Sequence, residues 1–442
     1  MPAHTYLVKS GWLADQGYRL EAAAYGEGGL AARDHIKAGP WPWEPLEEMA
    51  TAYLPPRFTR RYVNDPVRGV PLLSSSDMLL ADLQGLPLLS RKAAPNLDAL
   101  TSVSGSTLIS RSGTIGRTVY WRQEMDGMAV SEDVIHVRPR QGHVRPGYLF
   151  AFLASAPAQA MIRQQTYGSV VQHIEPRRLA GLPVPLPDAG SQRRIHELVE
   201  GAAAKRSEAS SLLDEASEYF DRSFATGGAS HYHSLSVGAV QRSALERRLD
   251  AFHHMGWAAV PPMPGPQLRE LAAVWSVSSM RRVWAPNGVP FVTGTNVFAL
   301  RPDPERRLAK WAADEVNAYV QEGDLLLQAY GQLNGLIGHP CYVGSRLSGW
   351  SAGHLLFRIR VSIPGERGRV FSFLRSDVGR RALVRWSSGN QIPHLVPDAL
   401  RRLVTPPLPA ELTEKSNRAL RLREEADANE ERAIREVEAW LG

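Results

Sequence analysis

One stretch of this 442-residue chain occurs twice, and that repeat constrains the fold more than any other feature. The first copy opens with Tyr148-Leu-Phe-Ala-Phe-Leu153 and passes through the polar turn Tyr167-Gly-Ser-Val-Val-Gln-His-Ile174. It continues through Leu182-Pro-Val-Pro-Leu-Pro187 into a long helix predicted from about Ser191 to Phe224. The second copy reads Phe371-Ser-Phe-Leu374, then Ser388-Gly-Asn-Gln-Ile-Pro-His-Leu395, then Thr405-Pro-Pro-Leu-Pro409, then a helix to Leu441. His173 and His394 are 221 residues apart, as are Gly168 and Gly389. Upstream, Arg19-Leu-Glu-Ala22 is echoed by Arg248-Leu-Asp-Ala251, Gly69-Val-Pro-Leu-Leu73 by Gly288-Val-Pro-Phe-Val292, and Leu108 to Gly113 by Leu326 to Gly331. Spacings held this closely across separate features are those of an internal duplication with small loop insertions.

The repeat sets the expected architecture. It is α+β: two mixed α/β domains alternate with two long helices that pair as an antiparallel coiled coil, giving a pseudo-twofold internal repeat. The expected boundaries are a first domain over 1–188, a central helix over 189–226, a linker over 227–246, a second domain over 247–409 and a C-terminal helix over 410–442. Ahead of the first helix, short β-rich runs recur between Gly, Pro and Ser clusters: Gly69 to Leu73, Ser106 to Ser110, Thr118 to Trp121 and Asp133 to Val137. The segment from Pro146 to Gln165 reads as two short helices, with Pro157 in the first turn of the second and Ser155 placed to cap it. Tyr148, Leu153, Phe371 and Leu374 are expected in the core.

In the central helix, Ile195, Leu198, Ala202, Lys205, Ala209, Leu212, Ala216 and Tyr219 alternate steps of three and four, the a and d positions of heptads. In the C-terminal helix the corresponding stripe is Ala419, Leu422, Ala426, Asn429, Ala433, Val437 and Trp440. The small residues in both stripes call for a specific partner helix. Lys205 opposite Asn429 is the expected polar pair setting register. Helices of ~34 residues would span ~50 Å and hold the two domains at opposite ends.

Composition narrows the class. No apolar run reaches the roughly 18–20 residues of a membrane span. The start, Met1-Pro-Ala-His-Thr5, lacks a signal-peptide pattern, and the single cysteine, Cys341, allows no internal disulfide. A reducing cytoplasm is the expected location. Net charge is +6, but residues 191–225 hold −2 and residues 410–442 hold −3, which leaves +11 on the rest. Basic domains joined by mildly acidic helices suit a polyanion at the domains and a protein at the helices; the bland alternative is a solvated basic surface.

Side chains that reach base edges and phosphates are Arg, Lys, Asn, Gln and hydroxyls on loops. The densest cluster is Arg57-Phe-Thr-Arg60-Arg61-Tyr62, with Arg281 and Arg282 as its counterpart, and it suits either a DNA groove or an exposed basic loop. Arg111, Thr114 and Arg117 surround the glycine turn Gly113-Thr-Ile-Gly116, which could meet a phosphate or be a plain hairpin. Gln328, Tyr330, Gln332 and Asn334 take that place in the second copy, where the amides could read adenine. Tyr167, Ser169 and Gln172 in one turn, and Asn390 and Gln391 in the other, complete the candidates. Gln172, His173, Gln391 and His394 recur in both copies, which favours holding the fold or touching backbone over reading bases. Trp121, Trp284 and Trp350 are expected to pack rather than stack on bases.

The domain–helix–domain–helix order, the Gly113-Thr-Ile-Gly-Arg117 turn, the Tyr-Gly-Ser…Gln-His-Ile turn, the Pro-Leu-Pro exit and the helix start Ser191-Gln-Arg-Arg-Ile195 together resemble the specificity subunit of a type I restriction–modification system. The resemblance runs over essentially the whole chain. It implies two target-recognition domains, each reading half of a split, asymmetric site in double-stranded DNA. It implies helices that space the domains and dock two DNA methyltransferase subunits, with a restriction–translocase subunit as a further partner in some complexes. Adenine methylation and S-adenosylmethionine would belong to the partners, so this chain is expected to bind no cofactor or metal and to be non-catalytic. The second copy departs from the pattern at Tyr330-Gly-Gln-Leu-Asn-Gly335 and Ser388-Gly-Asn390.

Motifs for chemistry are missing. The chain has no Asn-Pro-Pro-Tyr or Asp-Pro-Pro-Tyr, no phosphate loop and no His-Glu-x-x-His. Arg301-Pro-Asp-Pro-Glu305 faintly suggests a nuclease carboxylate pair but lacks a spaced second acid with a lysine, and His231 and His233 lie in a Gly/Ser linker, where a solvated linker is favoured over a metal pair. The competing expectations are a duplicated protein-interaction scaffold and a single-chain methyltransferase or nuclease.

Overall fold

A computed structural model describes residues 8–15, 23–26, 28–94, 96–167, 172–224, 242, 253, 260–304, 306–333, 335–389 and 391–441. The expected features at Arg19 to Ala22, Arg248 to Ala251, His231 and His233 lie outside them. The chain divides into two compact units: Met1–Ser207 with Glu425–Gly442, and Glu208–Glu424. Each unit thus takes a portion of both long helices.

The first unit is built on strands β1 (Trp43–Pro45), β2 (Ala50–Tyr53), β3 (Tyr62–Val63), β4 (Gly69–Leu73), β5 (Leu88–Ser90), β6 (Thr107–Ser110), β7 (Thr118–Tyr120), β8 (Ala129–Val130), β9 (Val134–Pro139) and β10 (Pro183–Pro185). The larger sheet has the order β2-β9-β6-β7 and is antiparallel throughout. The smaller sheet has the order β3-β5-β4-β8, with β8 joining β4 in parallel. The four β-rich runs of the sequence are strands β4, β6, β7 and β9. Strands β6 and β9 place Ile109, Ile135 and Val137 against the wholly buried run Tyr148 to Leu153, while Val70 and Leu72 of β4 pack in a separate cluster with Leu89 and Leu100.

The second unit repeats this plan with β11 (Ala272–Trp275), β12 (Trp284–Val292), β13 (Arg306–Leu308), β14 (Leu325–Gln328), β15 (Pro340–Tyr342), β16 (Ser351–Ala352) and β17 (Leu356–Val361). Its larger sheet runs β11-β17-β14-β15, the same order in space as β2-β9-β6-β7. Its smaller sheet runs β13-β12-β16, again with a parallel final pair. A register shift inside β12 lets both Trp284 and Val289 face Leu308, so this one strand does the work of β3 and β4.

The two short helices predicted around Ser155 span Pro146–Ala154 and Ala156–Gln164. The Ser155 hydroxyl donates back to the Phe152 carbonyl at 2.6 Å rather than capping the second helix. Its equivalent, Ser376, does both, accepting from the Gly379 N–H as well.

The long helices span Ala189–Ser223 and Ala410–Leu441. Within the first unit Arg194 pairs with Glu436 and Lys205 with Glu425; within the second, Glu208 pairs with Arg418 and Glu215 with Lys415. Partner numbers fall as chain numbers rise, so the helices pair antiparallel in each unit. The buried seam differs from the predicted stripe. Ile195, Ala202, Ala209 and Ala216 are buried as expected, but the intervening seam positions are Val199, Arg206, Leu213 and Phe220. Leu198, Lys205 and Leu212 are half-buried beside the seam, and Tyr219 is exposed. In the C-terminal helix Ala419, Ala426, Ala433 and Val437 are buried, joined by Glu430 and Leu441, while Leu422, Asn429 and Trp440 are half-buried. The expected Lys205–Asn429 pair is replaced by a buried ion pair, Arg206 with Glu430, supported by Asp427 at 2.7 Å.

Each unit fastens its sheet to a long helix in the same way. Tyr120 on β7 donates to Glu200, and Tyr342 on β15 donates to Glu424. Gly147 and Gly368 lie against His196 and Asn417, where an added Cβ would come within 2.9 Å and 2.5 Å of the helix backbone. Only glycine permits that approach.

Candidate nucleic-acid interface

In the first unit the fold gathers three segments that are far apart in sequence. The loop ahead of β3 supplies Arg57, Arg60 and Arg61, and β3 itself Tyr62; the β6–β7 turn supplies Arg111, Thr114 and Arg117; the turn after residue 164 supplies Tyr167 and Gln172. Backbone pairing holds the last turn shut, since Tyr167 and His173 exchange N–H···O bonds at 3.1 and 2.9 Å and His173 also bridges to Ser112. Ser388, His394 and Tyr330 repeat the arrangement in the second unit. The recurring histidines therefore sit in a structural clasp.

Carboxylates that sequence reasoning missed tie the segments together. Arg60 reaches Glu132 at 3.1 Å and Asp133 at 3.4 Å. Arg111 reaches Asp133 at 3.7 Å and Glu175 at 2.6 Å, and the Tyr167 hydroxyl donates to the same Glu175 oxygen at 2.6 Å. Arg178 lies over the Tyr167 ring at 4.9 Å. The Tyr167 hydrogen bond and Arg111 outweigh partial burial and hold the Glu175 carboxyl below its usual range. Burial works against the charges of Arg60 and Arg111, yet their carboxylate partners keep both above the ordinary arginine value. Glu175 directly follows the recurrent turn and Asp133 heads a strand, so their positions were visible; their roles needed the fold.

Arg60 and Arg111 are thus engaged within the protein, whereas Arg57, Arg61, Tyr62, Thr114 and Gln172 are exposed and Arg117 is half-buried. The glycine turn is a packed hairpin: Gly113 and Gly116 take φ of 72° and 82°, and Gln159 donates to the Gly116 carbonyl at 2.8 Å. Ser169, Asn334 and Asn390 lie outside the described residues.

The second unit has the same frame and different chemistry. The residues equivalent to Glu132, Asp133 and Glu175 are His354, Leu355 and Val396, so the acidic ties are gone. Tyr330 stacks on His394 with ring centroids 5.5 Å apart and meets His354 edge-on. Gln328 is half-buried and its amide nitrogen donates to the Tyr330 carbonyl at 2.6 Å, which turns it away from bidentate contact with a base. Gln332 and Gln391 are exposed, as are Arg281 and Arg282. Arg282 lies over the Phe291 ring and Arg306 over the Trp284 ring. Trp121 is buried, as expected of a packing residue, but Trp284 is 37% exposed.

Among the described residues no group of His, Cys, Asp and Glu is arranged to hold a metal ion, and no helix is long and apolar enough to cross a membrane. Asp303 is described and Glu305 is not, so the suggested carboxylate pair falls partly outside the described residues.

No protein-family model matches the chain, and no curated protein does. Solved structures similar to it over more than nine-tenths of its length include three type I restriction–modification structures. The type I restriction–modification S subunit of M. genitalium is 12% identical, with 91% of this chain and 95% of that one covered and a TM-score of 0.33. The HsdS subunit of Thermoanaerobacter tengcongensis is 16% identical over 91% and 95%, with a TM-score of 0.27. A chain from a structure of type I R-M complex assembly and conformational transition is 16% identical over 91% and 94%, with a TM-score of 0.30.

Proposed function

We propose that this chain is a non-catalytic DNA-recognition subunit that reads a bipartite double-stranded site and brings a partner DNA adenine methyltransferase to it. One observation carries the reading: a single frame is built twice, with the same strand order and the same histidine clasp, but with different side chains on the corresponding loops. Identical binding surfaces would serve identical ligands; one frame with two loop chemistries suits two different half-sites. The charge agrees, with +11 on the parts outside the helices, and a basic surface supplies the sequence-independent part of DNA affinity. The residues proposed to meet DNA are the exposed ones, Arg57, Arg61, Tyr62, Thr114 and Gln172 in one unit and Arg281, Arg282, Gln332 and Gln391 in the other. In this reading S-adenosylmethionine and methyl transfer belong to the partner, two copies of which dock on the paired helices, and a restriction–translocase subunit joins where cleavage follows. The domain limits of the reading are 1–188 and 247–409.

The test is a genome-wide map of adenine methylation in cells expressing the methyltransferase with and without this chain. A split motif should appear only with the chain, and exchanging residues 1–188 should change one half of it. Methylation that is unchanged by the chain would sink the reading and leave the protein-scaffold alternative.

A further inference from the structure

The duplication allows the chain to be compared with itself at the surface, where the two copies have otherwise diverged. Register gives the equivalences. Val70 and Val289 are equivalent by the repeat, and they pair with Leu89 and Leu308, both fully buried. On the other side of those leucines stand Tyr62, facing Leu89, and Trp284, facing Leu308. Tyr62 and Trp284 therefore occupy one and the same position in the two units, and both are exposed, at 54% and 37%. Isolated exposed hydrophobic side chains are ordinary, and Trp311, at 54%, is one. An aromatic ring kept at the same exposed position in both copies is only partly accounted for by packing, which for Trp284 is an edge-on contact with Phe291 at 5.4 Å.

The neighbours give the ring a ligand class. Two residues before each aromatic, on the same face of an extended chain, stands an arginine: Arg60, itself held by Glu132 and Asp133, before Tyr62 and Arg282 before Trp284. In the second unit Arg306 lies 5.3 Å from the Trp284 ring centroid. Trp284, Arg306 and Arg307 line a shallow, open cleft of about 440 Å³ with Ala285, Pro286 and Pro304. No described residue of that lining is acidic. A flat ring beside guanidinium groups, in a cleft with no carboxylate among its described residues, matches a base step of a duplex with its flanking phosphates: the ring enters where the step opens, and the cations meet the backbone.

We propose that Tyr62 and Trp284 are matched wedge residues, each inserted at one base step of the half-site read by its own unit. The proposal rests on the DNA-recognition reading above. It assigns Trp284 a role opposite to the packing role expected from sequence, and it places the contact on the smaller sheets rather than on the glycine turns.

The test uses the full chain and a pool of DNA duplexes with a randomised centre, with the bound fraction sequenced and affinities measured on the enriched duplexes. Trp284→Ala should weaken preference at one base step of one half-site by roughly 5- to 150-fold, the usual worth of one base position in a specific duplex site, and leave the other half untouched. Tyr62→Ala should do the reverse. Trp284→Phe and Tyr62→Phe should keep most of the preference, which separates loss of the inserted ring from a folding defect. Unchanged preferences in both alanine variants would overturn the proposal, as would a loss spread evenly over all sequences, the mark of a backbone contact. If the unaltered chain enriches no sequence, the DNA-recognition reading fails and this proposal falls with it.

Discussion

At the scale of single residues, His136 and Arg358 show one position meeting burial in two ways. They are equivalent on β9 and β17, and both are fully buried. Arg358 donates to the Ala318 and Ala352 carbonyls at 2.6 and 2.7 Å, and burial pushes its pKa down only to about 10, so it stays charged near neutrality. His136 has no hydrogen-bond partner for either ring nitrogen among the described residues, and burial pushes it down to about 4. Its folded value lies below the ~6.5 of an unfolded histidine. The unfolded chain therefore takes up the proton first, and the contribution to stability is full above about pH 6.5 and lost as pH falls towards 4, in all about 3 kcal/mol. Urea midpoints measured across that range should fall for the natural chain and lose much of that slope in His136→Leu. Gly147 and Gly368 make a second residue-scale case. Alanine at either would press on the helix backbone of His196 or Asn417, and each substitution should cost roughly 1–3 kcal/mol, read as a lowered thermal midpoint.

At the scale of elements, the helix seam shows where periodicity runs out. Each contested step offers two apolar neighbours, Leu198 or Val199, Leu212 or Leu213, Tyr219 or Phe220. The apolar stripe is two residues wide, so steps of three and four fit either edge of it. Packing chose Val199, Leu213 and Phe220, and the same shift of one residue moved the polar position from Lys205 to Arg206. A buried ion pair adds little net stability but is costly to break. Arg206→Ala, which leaves Glu430 buried without its cation, should therefore destabilise by about 3–5 kcal/mol in urea unfolding. The double change Arg206→Leu with Glu430→Leu should recover most of that loss, while Lys205→Ala, on the exposed side, should cost well under about 1 kcal/mol.

At the scale of the whole molecule, two copies of one frame carry unequal electrostatics. The arginines of the first unit are partly neutralised by Glu132, Asp133 and Glu175, and the second unit has no such carboxylates at the equivalent positions. If the exposed arginines meet phosphates, replacing Arg57, Arg61 or Arg281 by alanine should weaken binding to all duplexes. Each should also flatten the slope of log affinity against log salt by about 0.9 for every phosphate no longer neutralised. Arg60→Ala should act differently, because removing it leaves Glu132 and Asp133 without that cation. Its effect should appear in stability as well as in binding, measured by melting the chain without DNA.

The duplication, the strands β4, β6, β7 and β9, the break at Ser155, the cores around Tyr148 and Phe371 and the two long helices were all legible in the amino-acid order. They depend on local pattern: period-two and near-3.6 alternation, turn residues, and a spacing repeated along the chain. The helix seam, the Arg206–Glu430 pair, the carboxylates that tie Arg60 to Arg111 and the shared position of Tyr62 and Trp284 were decided by tertiary structure. Each is a relation between segments scores to hundreds of residues apart. In β12 the matching register arises through an irregularity that no local period records. A side chain's type can be read along the chain, but whether it faces a partner, a carboxylate or solvent depends on which distant segment folds against it.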